Sequence, residues 1–284
     1  MKTRFAGYKS TLKDLDDILD LMFNRFPAYL VVRAAAPLKI TPNALTAASF
    51  LLTCVSAWLL AQDKTEWAAL FIYLKVVFDC SDGQMARFTG TTTRYGRIYD
   101  ELADISGQFL IFGGIGYAMM KTGFEWIVFL ALAASLFFMG ANITIVQNFR
   151  SLYVRIYERR GRQAGRTGRA FFLAIDGLDS LREATLRLVS LPDINAYAEK
   201  NGWTGGELEG LRAAFRLRFR PMVYLFSLVA GTSHLLAIAL LALVQRLAWI
   251  FPLFILWYNV VLAMMVVVQI AKVTAFERRY MSSN

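Results

Sequence analysis

Asp79-Cys80-Ser81-Asp82-Gly83-Gln84-Met85-Ala86-Arg87 is followed, after eight residues, by Gly96-Arg97-Ile98-Tyr99-Asp100-Glu101-Leu102-Ala103-Asp104. On a helix turning about 100° per residue, positions 79, 82, 83, 86 and 87 fall within an arc of roughly 140°. One face therefore carries two carboxylates, a glycine, an alanine and an arginine. Gly96, Asp100 and Asp104 lie four apart and make a second stripe, its carboxylates one turn or ~6 Å apart along the axis. The loop between the two segments, Gly90 to Arg94, is short, which makes the helices antiparallel neighbours and sets the stripes face to face.

Carboxylates crowded in this way repel one another unless protons or cations intervene, and hard oxygen donors favour Mg²⁺ or Mn²⁺ over zinc. Two divalent cations are the expected occupants, because a pair about 3.5 to 4 Å apart clamps the attacking and leaving oxygens in phosphoryl transfer. Gly83, Ala86 and Gly96 lack bulk where a substrate would approach the backbone, and Arg87 can donate paired hydrogen bonds to a phosphate. Small residues also let membrane helices pack closely, which by itself explains Gly83 and Ala86 as well.

Around this motif the 284-residue chain is 57% hydrophobic and only 18% charged, the composition of a polytopic membrane protein. The expected fold is all-α. Six stretches have the roughly 20-residue length of a membrane span: about Pro42 to Ala61, Trp67 to Phe88, Tyr95 to Met120, Trp126 to Gln147, Met222 to Gln245 and Ala248 to Lys272. The connectors after the first, third and fifth carry one basic residue each, Lys64, Lys121 and Arg246, while Arg25, Arg33, Lys39, Arg87, Arg94, Arg97, an arginine series after the fourth, Arg278 and Arg279 fall on the other side. By the positive-inside rule both termini and the acidic motif face the cytoplasm of a plasma or inner membrane. The net charge of +10 follows this topology, so anionic lipid headgroups and not nucleic acid are its natural partners.

Four segments are expected: residues 1–39 as a cytoplasmic or interfacial helix, 40–150 as spans one to four with the motif, 151–220 as a small helical cytoplasmic insertion, and 221–284 as the last two spans and tail. In the first, Leu12, Leu15, Ile18, Leu19, Met22 and Phe26 recur at helical spacing with Asp14, Asp16, Asp17 and Asp20 between them, the pattern of an amphipathic helix on the membrane surface or beneath the bundle. In the third, an Arg/Gly tract precedes Thr204 and Glu207, which read as a capping box for a helix running toward Phe219, with Pro221 opening the fifth span. Cys54 and Cys80 both fall in helices and suggest no disulfide. The first 30 residues lack a cleavable signal pattern.

The pattern Asp-x-x-Asp-Gly-x-x-Ala-Arg, eight residues, Gly-x-x-x-Asp-x-x-x-Asp is met by Asp79, Asp82, Gly83, Ala86, Arg87, Gly96, Asp100 and Asp104, and resembles the signature of the CDP-alcohol phosphotransferases. Thr41-Pro42-Asn43-Ala44-Leu45-Thr46 is similar to that family's start of the first span. The resemblance implies a site for two divalent cations, Mg²⁺ or Mn²⁺, holding the pyrophosphate of a CDP-linked substrate, most naturally CDP-diacylglycerol. Asp79, Asp82, Asp100 and Asp104 would be metal ligands, with Asp104 also deprotonating the acceptor alcohol. Asn43, Gly83, Ala86, Arg87 and Gly96 would line the nucleotide pocket, and CMP would leave, making a phospholipid. Transfer of a CDP-linked headgroup to a lipid alcohol or a soluble polyol phosphate uses the same site, and a homodimer is the family's expectation.

A divalent-cation transporter is the competing class, since carboxylates inside a bundle also mark ion pathways, but it gives no reason for Gly83, Ala86, Arg87 and Gly96. Lys75, one turn before Asp79, reads as a neutralising partner, a phosphate ligand or a structural ion pair. Arg150, Arg155, Arg159 and Arg160 read first as a positive-inside cluster and second as a holder of a phosphorylated acceptor. His234 reads as a packed residue, Asn142, Gln147, Tyr258, Asn259 and Gln269 as interhelical hydrogen-bonding groups, and Asp176 with Asp179 as a solvated face.

Overall fold

A computed structural model describes residues 15–120, 125–158 and 189–281, and these residues form helices and turns without a strand. A π-helical turn at Asp20–Asn24 runs into α1 (Arg25–Ala35), followed by α2 (Pro42–Ala61), α3 (Thr65–Thr89), α4 (Arg94–Met120) and α5 (Glu125–Glu158). After these come α6 (Ile194–Lys200), α7 (Gly206–Phe226), α8 (Gly231–Leu243), the short α9 (Ile250–Pro252) and α10 (Tyr258–Tyr280). Among the described residues, four stretches are long and apolar enough to cross a membrane by length and composition: Pro42–Ala61, Trp126–Tyr157, Gly206–Leu243 and Leu247–Tyr280. The second and third expected spans are present as helices of 25 and 27 residues, but their charged and polar residues keep them outside that set.

The helices gather into two compact units, one of Met1–Met139 with Gly231–Trp257 and the other of Gly140–Ala230 with Tyr258–Asn284. In the first, α2 is the shared spine. Thr41 Oγ1 accepts from Ala44 N (3.3 Å) and Pro42 fills the first turn, so α2 starts where its capping residues dictate. Both α3 and α4 pack along α2, while α1 and α8 pack on α3. The α2–α4 seam is made by small residues: a Cβ at Gly114 would stand 2.3 Å from the Ala57 carbonyl oxygen, and one at Gly107 would stand 3.0 Å from Thr53 Cγ2. Gly90, at φ 68, ends α3, and the amides of Gly90 and Thr91 both bond the Ala86 carbonyl, so the chain reverses at once. Thr93 Oγ1 then accepts from Gly96 N (3.0 Å) and starts α4.

The N-terminal helix has its polarity turned inward. Asp16, Asp20, Asn24 and Arg25 are buried, whereas Met22, Phe23, Phe26 and Leu30 are exposed. Arg25 is paired with Asp16 at 2.5 Å and Asp20 at 3.8 Å, and Asn24 donates to Asp20 at 2.9 Å. Pro27 has no N–H for the carbonyl of Phe23, and the Tyr73 hydroxyl of α3 donates to it instead (3.1 Å). Gln84 Nε2 and Ser81 Oγ, also on α3, donate to the carbonyls of Arg25 (3.0 Å) and Ala28 (3.3 Å). Leu12 and Asp14 lie outside the described residues.

In the second unit aromatic rings join α5, α7 and α10: Phe149 stacks on Phe226 (4.5 Å), Tyr153 on Phe215 (5.5 Å), and Phe276 meets Phe219 (5.4 Å). Asn195 Nδ2 of α6 donates to the Ile156 carbonyl (2.7 Å), and Gln269 to that of Ser190 (3.2 Å). The Thr204–Glu207 capping box does not form. Gly205, at φ 57, is the N-cap without a side-chain bond, because the Gly205–Gly206 pair lets the chain turn into the helix there. Pro221 lies inside α7 and does not open a span. The fifth expected span is interrupted: Ser227 Oγ takes the Tyr224 carbonyl (2.6 Å), a 3₁₀ turn spans Ser227–Val229, and Ala230 is extended before α8. Residues 159–188, with Arg159, Arg160, Asp176 and Asp179, lie outside the described residues.

Candidate active site

Asp79 and Asp82 project from one face of α3, and Asp100 and Asp104 from α4. One oxygen each from Asp79, Asp82 and Asp100 lie within 4.8 Å of one another. Asp104 is bonded through Lys75, whose Nζ donates to Asp104 Oδ1 (2.6 Å) and Asp79 Oδ1 (3.3 Å). Asp82 thus meets Asp100 while Lys75, lower on α3, meets Asp104, higher on α4, the sequence order of antiparallel neighbours. The two helices do not pack along each other as the short loop suggested. Each packs on α2, and the facing carboxylates occupy the cleft this leaves.

Exposure falls in a graded way across the cleft. The Asp104 side chain is 39% exposed, that of Asp79 28%, and that of Lys75 6%, while Asp82 is buried. Asp104 is therefore the most accessible of these four groups, and Lys75 and Asp82 lie deepest. Thr46 Oγ1, one turn into α2, donates to Asp82 Oδ2 (2.5 Å) and orients that carboxylate. Thr46 was read only as part of the first span's start. Its role is invisible along the chain because its partner lies 36 residues away.

The small residues have particular neighbours. A Cβ at Gly83 would meet Arg87 Nη1 at 3.4 Å, so the guanidinium folds back over the bare backbone of its own helix face. A Cβ at Gly96 would meet Asn43 Oδ1 at 3.2 Å, which places Asn43, at the start of α2, beside the first turn of α4. Ala86 is partly exposed on the Gly83 face. The nine residues singled out in the motif and at Asn43 therefore lie on the first turn of α2, the C-terminal half of α3 and the N-terminal half of α4. His234 lies apart from them, buried edge-on against Phe254 (4.8 Å). Neither Cys54 nor Cys80 forms a disulfide, and the Cys80 thiol donates to Asp20 Oδ1 (3.7 Å).

The donor set suits a divalent cation. Three carboxylates converge from two helices, each able to offer one oxygen within a single coordination sphere, and an all-oxygen set of this charge is what Mg²⁺ or Mn²⁺ takes. Bringing such groups together without a cation is repulsive, and the Lys75 ammonium offsets this for Asp79 and Asp104.

Residues 39–176 match the family model of the CDP-alcohol phosphatidyltransferases. Among curated proteins, a phosphatidylinositol phosphate synthase of Corynebacterium glutamicum is 35% identical over 99 residues, 33% of this chain and 45% of that protein. A CDP-diacylglycerol–serine O-phosphatidyltransferase of Helicobacter pylori is 25% identical over 122 residues, 40% of this chain and 52% of its own length. An archaetidylinositol phosphate synthase of Pyrococcus horikoshii is 30% identical over 88 residues, 31% of this chain and 47% of its own. The chain thus spans about half the length of the curated relatives it matches, with shares of 45%, 52% and 47%.

Proposed function

We propose that the chain, whose residues 39–176 match the CDP-alcohol phosphatidyltransferase family model, transfers a substituted phosphate from CDP-diacylglycerol to an alcohol, releasing CMP. The observation that carries the reading is the convergence of Asp79, Asp82 and Asp100 from two helices, with Gly83 and Ala86 on the same stretch of α3, Gly96 one turn before Asp100 on α4, and the Asp104 side chain 39% exposed. In this reading Asp79, Asp82, Asp100 and Asp104 hold two divalent cations, Mg²⁺ or Mn²⁺. When bound, the cations neutralise the diphosphate and the departing CMP.

The chain's own groups do the rest. Gly83 and Gly96 admit the diphosphate close to the backbone, and Arg87, lying over Gly83, donates to a phosphate oxygen. Asn43, beside Gly96, and Ala86 complete the nucleotide wall. The Asp104 carboxylate accepts the proton of the acceptor hydroxyl as its oxygen bonds to the phosphorus bearing the diacylglycerol half. The bond from that phosphorus to the CMP oxygen breaks, and the electron pair leaves on CMP. A transporter would use the carboxylates but would leave Asn43, Arg87 and the two glycines without a task.

The same reading makes α3 and α4 membrane-crossing helices beside the four apolar stretches, six in all, in a plasma or inner membrane. Their charged residues would then lie at the cytoplasmic edge, where both termini fall by the distribution of basic residues. The exposed Met22, Phe23, Phe26 and Leu30 of the N-terminal helix would rest in the interface, and residues 151–220 would form the cytoplasmic insertion.

A phosphate-bearing polyol is the acceptor that the relatives favour. Two of the relatives are named as inositol phosphate synthases. Purified protein incubated with CDP-diacylglycerol, Mg²⁺ or Mn²⁺ and a panel of serine, glycerol phosphate, inositol phosphate and inositol tests this. CMP release with one acceptor and a lipid product of matching mass supports the reading; no CMP with any acceptor refutes it.

A further inference from the structure

Lys75 is 5% exposed and sits one turn before Asp79 on α3. A buried ammonium is costly unless paired, and this one is bonded to two carboxylates from two helices, Asp104 at 2.6 Å and Asp79 at 3.3 Å. Ser49 Oγ of α2 bonds the Lys75 carbonyl (3.4 Å), tying that turn of α3 to the spine. The three oxygens that could share one cation come from Asp79, Asp82 and Asp100. A cation bridging Asp79 and Asp104 would have to stand where the Lys75 ammonium stands.

We propose that Lys75 is a resident counter-ion that divides the acidic cluster into two unequal cation positions. The first lies among the converging oxygens of Asp79, Asp82 and Asp100. The second, between Asp79 and Asp104, is filled by the chain itself until a divalent cation displaces the ammonium. Lys75 is accordingly a positioning residue: it draws Asp104 toward Asp79 and sets the free divalent-cation concentration at which the site becomes complete. This inference rests on the metal-dependent reading of the site given above. A snorkelling lysine would send its charge to solvent, and a phosphate ligand would keep a free donor at the mouth of the cleft. The Lys75 ammonium does neither, since it is buried and is held from both sides.

The test is a Mn²⁺ titration of the full chain in detergent without substrate, reading free Mn²⁺ by its electron paramagnetic resonance signal. Wild type is expected to show a tight and a weak class of sites. Lys75→Met removes a like charge from the second position, so the weak class should tighten by about tenfold or more, while Lys75→Arg, which keeps the charge, should stay near wild type. Lys75→Gln repeats the neutral case should the methionine variant fail to fold. A neutral variant that melts like wild type yet leaves the weak class unchanged or weaker overturns the proposal. Absence of Mn²⁺ binding by wild type, with Asp82→Asn indistinguishable from it, overturns the metal reading itself and with it the proposal.

Discussion

Gly114 touches no proposed substrate, yet replacing it by alanine should disable the site. Its added Cβ would stand 2.3 Å from the Ala57 carbonyl oxygen, 3.1 Å from the carbonyl carbon and 3.2 Å from Cα, all backbone of α2. Backbone atoms in a packed helix cannot rotate away, so α4 must retreat from α2 by about 1 Å to restore ordinary contact. Overpacking of this kind costs about 1 to 3 kcal/mol. Asp104 lies ten residues back on the same rigid helix, about 15 Å along its axis, and shifts with it relative to Asp79 and Asp82 on α3. A displacement of about 1 Å in a catalytic group costs on the order of 10²-fold in rate. The assay pairs thermal unfolding in detergent with CMP release from CDP-diacylglycerol. Gly113→Ala is the control: nothing lies within 4 Å of its Cβ, and alanine there should be neutral or stabilising by about 0.5 to 1 kcal/mol. If Gly114→Ala melts and turns over like wild type, α2 is not the element that sets the spacing of α3 and α4.

Three other substitutions probe the site and its support. Asp104→Asn should lower turnover by about 10² to 10⁴-fold, the range of a general base, while Mn²⁺ binding among Asp79, Asp82 and Asp100 is largely kept, as an electron paramagnetic resonance titration would show; equal loss of both would make Asp104 a ligand of the tight site. Thr46→Val removes the 2.5 Å bond to Asp82 Oδ2, and loss of such an outer-sphere partner should weaken metal affinity by about 10 to 100-fold, read as a higher Mg²⁺ concentration for half-maximal CMP release. Arg25→Met leaves Asp16 and Asp20 buried without their cation, which should destabilise the protein by about 3 to 5 kcal/mol in a denaturation series; an unchanged midpoint would show that the N-terminal helix is not held through this pair.

Much of the site was legible because chemistry and position coincide along the chain. A carboxylate in an apolar helix needs a reason, and the period of 79, 82, 100 and 104 assigned each to a face before any neighbour was known. The bounds of α2, Pro42–Ala61, are those read from Thr41 and Pro42 and from the apolar run. What stayed hidden depends on contacts between distant segments. Lys75 could be placed on the Asp79 face, but its bond to Asp104 spans 29 residues. The separation of α3 from α4 follows from α2 lying against both, which a short loop does not reveal. The inward turn of Asp16 and Asp20 was obscured because alternating apolar and acidic residues fit either orientation. Arg25 among the apolar residues and Pro27 two residues on are the signals that mark a buried pairing and an orphaned carbonyl.

These last contacts bear on why α3 carries function on one side only. Its site face holds Lys75, Asp79, Asp82 and Arg87, which a membrane-crossing helix tolerates only where they face a polar cleft. Its opposite side is also polar and bonds α1: Tyr73 donates to the Phe23 carbonyl, Ser81 to that of Ala28, Gln84 to that of Arg25. Hydrogen bonds to carbonyls fix rotation about the helix axis in a way that apolar packing does not, because each has a direction. With α2 also packed along α3, these directed bonds hold its carboxylates toward α4 even though α3 and α4 do not pack along each other. The irregular N-terminal helix, with its π-helical turn before Pro27, is therefore part of the machinery that aims the site.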